Sequence, residues 1–140
     1  MSWLLDTCVI CEPAQKRPSA RVIAWIDAQP EELLHLSVLT LGEIRKGVAR
    51  LPSGPKRKRL ESWLEHDLRA RFAGRIISLD EEIADEWGRL QAAAEIRGHI
   101  LPTLDSQLAA TARARGLTLA TRNTPDFLSS GVPLFDPWRE

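Results

Sequence analysis

Four acidic residues of this chain stand where an apolar run ends or a helical stretch begins. They are Asp6, Glu43, Asp105 and Asp126, and Asn123 lies close to the last of them. Carboxylates that come together repel one another unless a cation or a proton intervenes. Oxygen ligands without histidine or thiolate suit Mg²⁺ or Mn²⁺. If the fold brings these side chains together, the sequence predicts a divalent metal site.

Predicted strands and predicted helices alternate along the chain. Apolar or β-branched runs predict strands at 3–6, 33–39, 75–79, 117–121 and 132–135. Apolar residues at helical spacing predict helices over 19–28, 56–72 and 80–97. Helices are also predicted over 40–51, before the breakers Pro52, Gly54 and Pro55, and over 103–115, before Gly116. Strands that alternate with helices favour an α/β fold with a central parallel sheet of about five strands, covered on both faces. Ligands of such sheets bind beyond the carboxyl ends of the strands, where the acidic residues fall.

Each carboxylate also has a structural explanation when it is taken singly. Thr40 and Glu43 have the spacing of a capping box, and Asp6 is placed to cap a first helix. Asp105 lies in a first helical turn, where the macrodipole favours an anion, and Asp126 follows Pro125 as a turn residue does. Taken together, the acidic residues favour a metal site. Asp6, Glu43 and Asp105 are embedded in apolar sequence, and buried charges need a partner.

Composition bounds the class of protein. The 140 residues predict a single domain over 1–140, and 44% hydrophobic residues allow a sizeable core. A formal net charge of +0 argues against coating nucleic acid through bulk charge, although a local basic strip stays compatible with it. No apolar run approaches the roughly 20 residues of a membrane span, and no signal peptide is apparent. We therefore expect a cytoplasmic protein that does not enter a membrane.

Cys8 and Cys11 form a C-x-x-C pair, which has a redox and a zinc interpretation. Asp6 lies just upstream, and a nearby carboxylate raises a thiol pKa rather than lowering it. The three histidines are scattered singly and supply no second half of a zinc site. The favoured interpretation is two small, partly buried side chains on the first turn of a helix.

Four motifs occur in a fixed order. They are Leu5-Asp6-Thr7, Thr40-x-x-Glu43-Ile44-x-x-Gly47, Asp105-x-x-Leu108-Ala109-Ala110-Thr111-Ala112 and Thr121-Arg122-Asn123-x-x-Asp126-Phe127. This order resembles the PIN-domain ribonucleases, which are the toxins of VapBC-type toxin–antitoxin pairs. Cys11-Glu12-Pro13 and the terminal Phe135-Asp136-Pro137-Trp138 are similar to the FitB-like branch. The match covers essentially the whole chain.

The resemblance implies a three-layer α/β/α fold and an acidic pocket that binds Mg²⁺ or Mn²⁺ and hydrolyses RNA. By position, Asp6, Glu43 and Asp105 match the core acidic residues of the family and are its expected metal ligands. Either Asn123 or Asp126 matches the fourth catalytic position. One departure is Cys8, because Asn or Ser is frequent there.

RNA must be drawn to an acidic pocket by local positive charge. The densest basic run is Lys56-Arg57-Lys58-Arg59, and Arg45 lies nearer Glu43. Lys46, Arg50, Arg75 and Arg122 are further candidates. Thr7 and Thr121, which adjoin acidic motifs, are also expected to contact substrate. The alternative interpretation of the basic run is a solvated helix start.

The resemblance implies partners as well. These are a cognate antitoxin whose C-terminal segment blocks the pocket, a second copy of the chain in a homodimer, and operator DNA reached through the antitoxin. The alternative function is a non-catalytic metal-binding partner that regulates transcription with its antitoxin.

Two other enzyme and signalling classes fit less well. A haloacid-dehalogenase-type phosphatase requires an Asp at the position of Cys8. A response-regulator receiver requires a Lys after a late strand, and none follows Leu119 or Phe135.

Overall fold

The computed structural model describes residues 1–139. Its centre is one sheet of five strands in the order β3-β2-β1-β4-β5, and every neighbouring pair is parallel. The strands are β1 (Trp3–Leu5), β2 (Leu34–Ser37), β3 (Ile76–Ile77), β4 (Thr118–Ala120) and β5 (Leu134–Phe135). The predicted parallel sheet is therefore confirmed.

Helices connect the strands as parallel pairing requires. They are α1 (Thr7–Ile10), α2 (Ala20–Ala28), α3 (Val38–Ala49), α4 (Pro55–Ser62), α5 (Arg69–Arg71), α6 (Glu81–Ile96), α7 (Thr103–Arg115) and α8 (Thr124–Phe127). A π-helical segment, Trp63–Leu68, joins α4 to α5. The predicted helix over 56–72 is therefore continuous, but its hydrogen bonds change from the α to the π pattern in this segment. Short 3-10 turns occupy Glu12–Ala14, Glu31–Leu33 and Leu128–Ser130.

Both faces of the sheet are covered, as alternation along β1 shows. Trp3 and Leu5 pack into one apolar cluster, and Leu4 packs into another on the opposite side. The first cluster takes in α2 and the Trp63–Leu68 segment, whereas the second takes in α6 and α7. Successive side chains of a strand point to opposite faces, so two separate cores follow from three consecutive buried residues. The fold is the expected three-layer α/β/α arrangement.

The structure corrects the predicted boundary between β2 and α3. The strand ends at Ser37 rather than at 39, because the Ser37 hydroxyl accepts the backbone N–H of Leu39 and caps α3. The predicted capping box of Thr40 and Glu43 is therefore wrong, since both residues lie inside the helix.

A membrane-spanning helix, which needs both length and a sustained apolar sequence, is not found among residues 1–139.

Candidate metal centre

The acidic residues meet at the carboxyl edge of the sheet. β1 is central and pairs Leu5 with Ala120 of β4, so the residues that follow these two strands lie side by side. The next residue after β1 is Asp6, whose backbone N–H still donates to the Ala120 carbonyl at 2.9 Å. Helix α7 leads back into β4, which places its first turn, and with it Asp105, at the same edge.

Asp6 is held by three donors. Its Oδ1 accepts the backbone N–H of Thr7 at 2.8 Å, which caps α1 as the sequence suggested. Its Oδ2 accepts the Thr121 hydroxyl at 2.7 Å and lies 3.8 Å from the Cys8 sulfur. The Asp6 carboxylate is therefore fixed in orientation, and its cap role coexists with a place in the acidic cluster.

Glu43 is linked to Asp6 through Thr7. The Thr7 hydroxyl donates to Glu43 Oε1 at 2.7 Å, although Glu43 comes from α3, which follows a different strand. Thr7 thus holds one carboxylate with its backbone and another with its side chain. The Thr121 hydroxyl has a comparable double role, because it also accepts the backbone N–H of Asn123 at 3.0 Å.

The surroundings of Asp105 raise the pKa of its carboxyl group. Partial burial raises the pKa of Asp105, and the negative charges of Asp6, Asp126 and Glu43 raise it further. Asp105 and Asp126 also line one cavity of about 520 Å³. No Lys or Arg within residues 1–139 forms an ion pair with any of these four carboxylates, so their mutual repulsion is not offset by a cationic side chain.

The carboxylates interact without forming a ready-made ligand cage. Over residues 1–139, no group of three His, Cys, Asp or Glu side chains is arranged closely enough to hold a metal ion. Carboxylates that lie near one another repel unless a cation or a proton intervenes. The chemistry of the donors fits a hard divalent ion, because the four acidic side chains offer carboxylate oxygens. His99 lines the cavity of Asp105 and Asp126, but within residues 1–139 it belongs to no group of three side chains that could hold a metal ion.

Both cysteines are partly buried, as the favoured interpretation expected, although only Cys8 lies in helix α1 and Cys11 follows its last residue. Burial, followed by the charge of Asp6, raises the pKa of Cys8 to about 11. Burial raises the pKa of Cys11 to about 11 as well, so both thiols are protonated at neutral pH. A protonated Cys8 can donate a weak hydrogen bond to Asp6, which is the contact that the structure shows.

Some of the basic candidates form ion pairs or hydrogen bonds within the chain, and others are exposed. Arg45 forms an ion pair with Glu65, and Arg57 forms one with Glu61 while also donating to the Leu51 carbonyl. Arg75 donates to the Glu31 and Leu34 carbonyls and has a structural role. Lys58 and Arg59 are exposed on α4.

Lys56 differs from its neighbours because it lines a cavity of about 940 Å³ together with Cys8 and Arg122. That cavity also includes Lys16, Arg17 and Trp138, which sequence reasoning missed. The one signal that could have found them is the isolated Lys16-Arg17 pair after Pro13.

A parallel five-stranded sheet with an acidic cluster at its carboxyl edge defines the class of α/β proteins to which PIN domains belong. Residues 3–127 match the family model described as PIN domain, and the chain belongs to the PIN-domain family.

Two known proteins and one solved structure are similar to this chain. The chain is 40% identical over 137 residues to toxin FitB of Neisseria gonorrhoeae, covering 98% of this chain and 99% of that protein. It is 38% identical over 135 residues to VapC ribonuclease Y4jK of Sinorhizobium fredii, covering 96% of each. The solved structure of FitAB bound to an IR36 DNA fragment superposes with a TM-score of 0.94 at 38% identity, covering 99% of this chain and 96% of that one.

Proposed function

We propose that this protein is a Mg²⁺- or Mn²⁺-dependent endoribonuclease that acts as the toxin of a toxin–antitoxin pair. The observation that carries the proposal is the convergence of Asp6, Glu43 and Asp105 at one sheet edge. Partial burial raises the pKa of Asp105, the charges of Asp6, Asp126 and Glu43 raise it further, and no Lys or Arg of residues 1–139 forms an ion pair with these carboxylates. The names of its relatives support the same conclusion, since one is called a toxin and another a ribonuclease.

Asp6, Glu43 and Asp105 would hold the metal ion, with Asn123 or Asp126 as a fourth contributor. A bound divalent ion supplies an activated water and neutralises charge that develops on the phosphate. Neighbouring residues of the chain orient these carboxylates. Thr121 and the Thr7 backbone fix Asp6, and the Thr7 hydroxyl fixes Glu43, so two of the ligands are held before any ion arrives. Hydrogen bonds of this kind orient metal ligands and set their affinity.

Basic side chains near the cluster would receive the RNA backbone. Lys56 is the member of the 56–59 run that the structure brings to a cavity shared with Cys8, next to Asp6. Lys58 and Arg59 are available for longer contacts, whereas Arg45 and Arg57 would first have to leave their carboxylate partners. Thr7 and Thr121 form hydrogen bonds with the carboxylates of Asp6 and Glu43. Their main proposed role is to orient these carboxylates, and contact with substrate is a lesser one.

The proposed partners are an antitoxin that blocks the acidic pocket, a second copy of the chain, and operator DNA bound through the antitoxin. The last is supported by the similar FitAB assembly, which is bound to a DNA fragment. That observation also supports the second candidate function, in which the chain binds metal and regulates transcription without cleaving RNA. The proposed location is the cytoplasm, where such RNA and DNA partners are found.

The test is RNA cleavage by purified protein free of antitoxin, with Mg²⁺ or Mn²⁺ and with a chelator. The expected result is cleavage that needs the metal and falls on the order of 100-fold or more in Asp6→Asn. Asp27→Asn, an exposed carboxylate on α2, is the control and should cleave as the wild type does. Intact RNA under all conditions, with DNA binding by the antitoxin complex preserved, would favour the regulatory function.

A further inference from the structure

A basic cavity adjoins the acidic cluster, and Cys8 belongs to both. The cavity has a volume of about 940 Å³ and carries four cationic side chains, Lys16, Arg17, Lys56 and Arg122. The Cys8 sulfur on its wall lies 3.8 Å from Asp6 Oδ2 and 3.9 Å from the Thr121 hydroxyl. A ligand that fills the cavity therefore reaches the edge of the proposed metal centre.

The positive charge of this cavity is not neutralised within the chain. Across residues 1–139, none of its four cations forms an ion pair, whereas Arg113 and Arg115 elsewhere are paired with carboxylates. The one carboxylate of the wall is Glu12, which is buried and accepts the backbone N–H of Ser19 at 3.3 Å. Glu12 thereby anchors the loop that carries Lys16 and Arg17, and an excess of positive charge faces the cavity.

An aromatic platform closes the same cavity. The Arg122 guanidinium lies over the Trp138 ring, 4.9 Å from its centroid. Arg21 fixes this C-terminal segment by donating to the carbonyls of Trp138 and Arg139 at 3.2 and 3.0 Å. Trp138 is only partly buried, so its ring is both held in place and accessible. Arg planes and aromatic rings are the surfaces on which unpaired bases stack.

We propose that the basic cavity binds the stretch of single-stranded RNA that flanks the scissile phosphodiester. Lys16, Arg17 and Lys56 contact its phosphates, and the Arg122–Trp138 pair stacks one unpaired base. The inference rests on the proposed function, and it explains how a polyanion approaches a centre whose own carboxylates repel it. A volume near the upper end of the roughly 300–1,000 Å³ range of ligand pockets accommodates such a segment. An unpaired base is required for the stacking contact, which favours a single strand over a duplex.

The test is the affinity of the full chain for a short fluorescent single-stranded RNA, measured by anisotropy in chelator so that nothing is cleaved. Arg17→Gln and Arg122→Gln should each weaken binding roughly three- to tenfold. Arg17→Gln, which removes a proposed phosphate contact, should also reduce the slope of log affinity against log salt by about 0.7, the value for one phosphate contact to a single strand. Arg69→Gln removes an exposed charge from α5, outside the cavity, and should leave affinity and slope unchanged.

A second pair of variants tests the platform. Trp138→Leu should weaken RNA binding several-fold, whereas Trp138→Phe should retain most of it, because only the phenyl ring offers a stacking surface. Melting temperatures of both proteins show whether the fold is retained. Equal affinity of the two variants at equal stability would overturn the stacking role.

The outcomes separate this inference from the proposed function. If the wild type cleaves RNA with Mg²⁺ and both arginine variants bind RNA normally, the basic cavity is not the RNA subsite and the inference fails alone. If the variants weaken binding of duplex DNA but not of single-stranded RNA, the inference fails because the ligand is DNA. If the variants weaken RNA binding while no metal permits cleavage, the cavity is confirmed as an RNA site and the enzymatic proposal fails.

Discussion

Asp80 and Asp105 stand at the N-terminal ends of two consecutive helices, yet their pKa values move in opposite directions. Asp80 caps α6 by accepting the backbone N–H of Ile83 at 2.9 Å and forms an ion pair with Arg115. That hydrogen bond and the Arg115 charge lower the pKa of Asp80. Burial and three neighbouring carboxylates raise the pKa of Asp105. The helix end is common to both, so the neighbours decide which carboxylate is structural and which is available to a cation.

The largest expected effect is on RNA cleavage. Asp105→Asn should reduce metal-dependent cleavage on the order of 100-fold or more, because it removes a proposed ligand. Asp80→Asn removes the same charge from a helix end and should cleave at the wild-type rate, since Asn also caps a helix. A cleavage assay on both variants sharpens the comparison. Equal losses in the two proteins would mean that the effect comes from helix ends in general.

A smaller effect is expected from the residue that orients Asp6. Thr121→Val keeps the shape of a fully buried side chain but removes the hydroxyl that donates to Asp6 and accepts from Asn123. Cleavage should fall by roughly tenfold or somewhat more, as is typical when a residue that orients a ligand is lost. Thr121→Ser retains the hydroxyl and should recover most of the rate. Failure of Ser to do better than Val would separate the hydroxyl from activity.

The two aspartates should also respond oppositely to pH when no metal is present. The raised pKa of Asp105 means that its ionised form costs stability, so stability is lost as pH rises through the folded pKa. In chelator at neutral pH, Asp105→Asn should therefore melt roughly 1 to 3 °C higher than the wild type, and the difference should vanish in acid below about pH 4. Asp80 has a lowered pKa, so its contribution is present at neutral pH and is lost as pH falls through the folded pKa.

Thermal melts of both variants in chelator across this pH range check these signs. Asp80→Asn should melt slightly lower than the wild type at neutral pH. An Asp105→Asn protein that melts well below the wild type in chelator would show that Asp105 holds the helix end, as Asp80 does.

The smallest effect concerns the ion pair itself. Arg115→Gln should move the pKa of Asp80 upwards towards its ordinary value, because the guanidinium that stabilises the carboxylate is gone. NMR titration of the Asp80 side chain measures this shift. The melting temperature should change by no more than about 1 to 2 °C, since exposed ion pairs contribute little. An unchanged Asp80 pKa would assign its lowering to the helix cap alone.

Much of the fold was predictable because the chain alternates short apolar runs with helical periodicity. Helix α7 was predicted over 103–115 and is found as Thr103–Arg115, since the segment is rich in Ala, Leu and Arg, which favour helices, and Gly116, with φ 66°, ends it. The start of α3 was not predictable in the same way. Val38 and Leu39 continue the apolar character of β2, and both Ser37 and Thr40 are suitable caps, so only tertiary contacts chose Ser37.

The convergence of the acidic residues was predictable from the order of the strands, whereas the contacts among their side chains were not; their role as a site stays a prediction. Parallel strands bring Asp6 and the residues after β4 to one edge whatever the details of the side chains. The bridge from Thr7 to Glu43 joins residues far apart in the chain and leaves no local signal. The same holds for Arg45, whose partner Glu65 lies on another helix, and for the basic cavity, which is assembled from distant segments. The single-domain organisation over 1–140 stays a prediction.

If the carboxylates at the sheet edge bind a divalent cation, a Mn²⁺ titration should detect the binding. Free Mn²⁺ is followed by electron paramagnetic resonance for the wild type, Asp105→Asn and Asp80→Asn. We expect the wild type and Asp80→Asn to bind Mn²⁺ with equal affinity, and Asp105→Asn to bind it at least about tenfold more weakly. Binding of Mn²⁺ that is as tight in Asp105→Asn as in the wild type, or absent from all three proteins, would contradict this expectation.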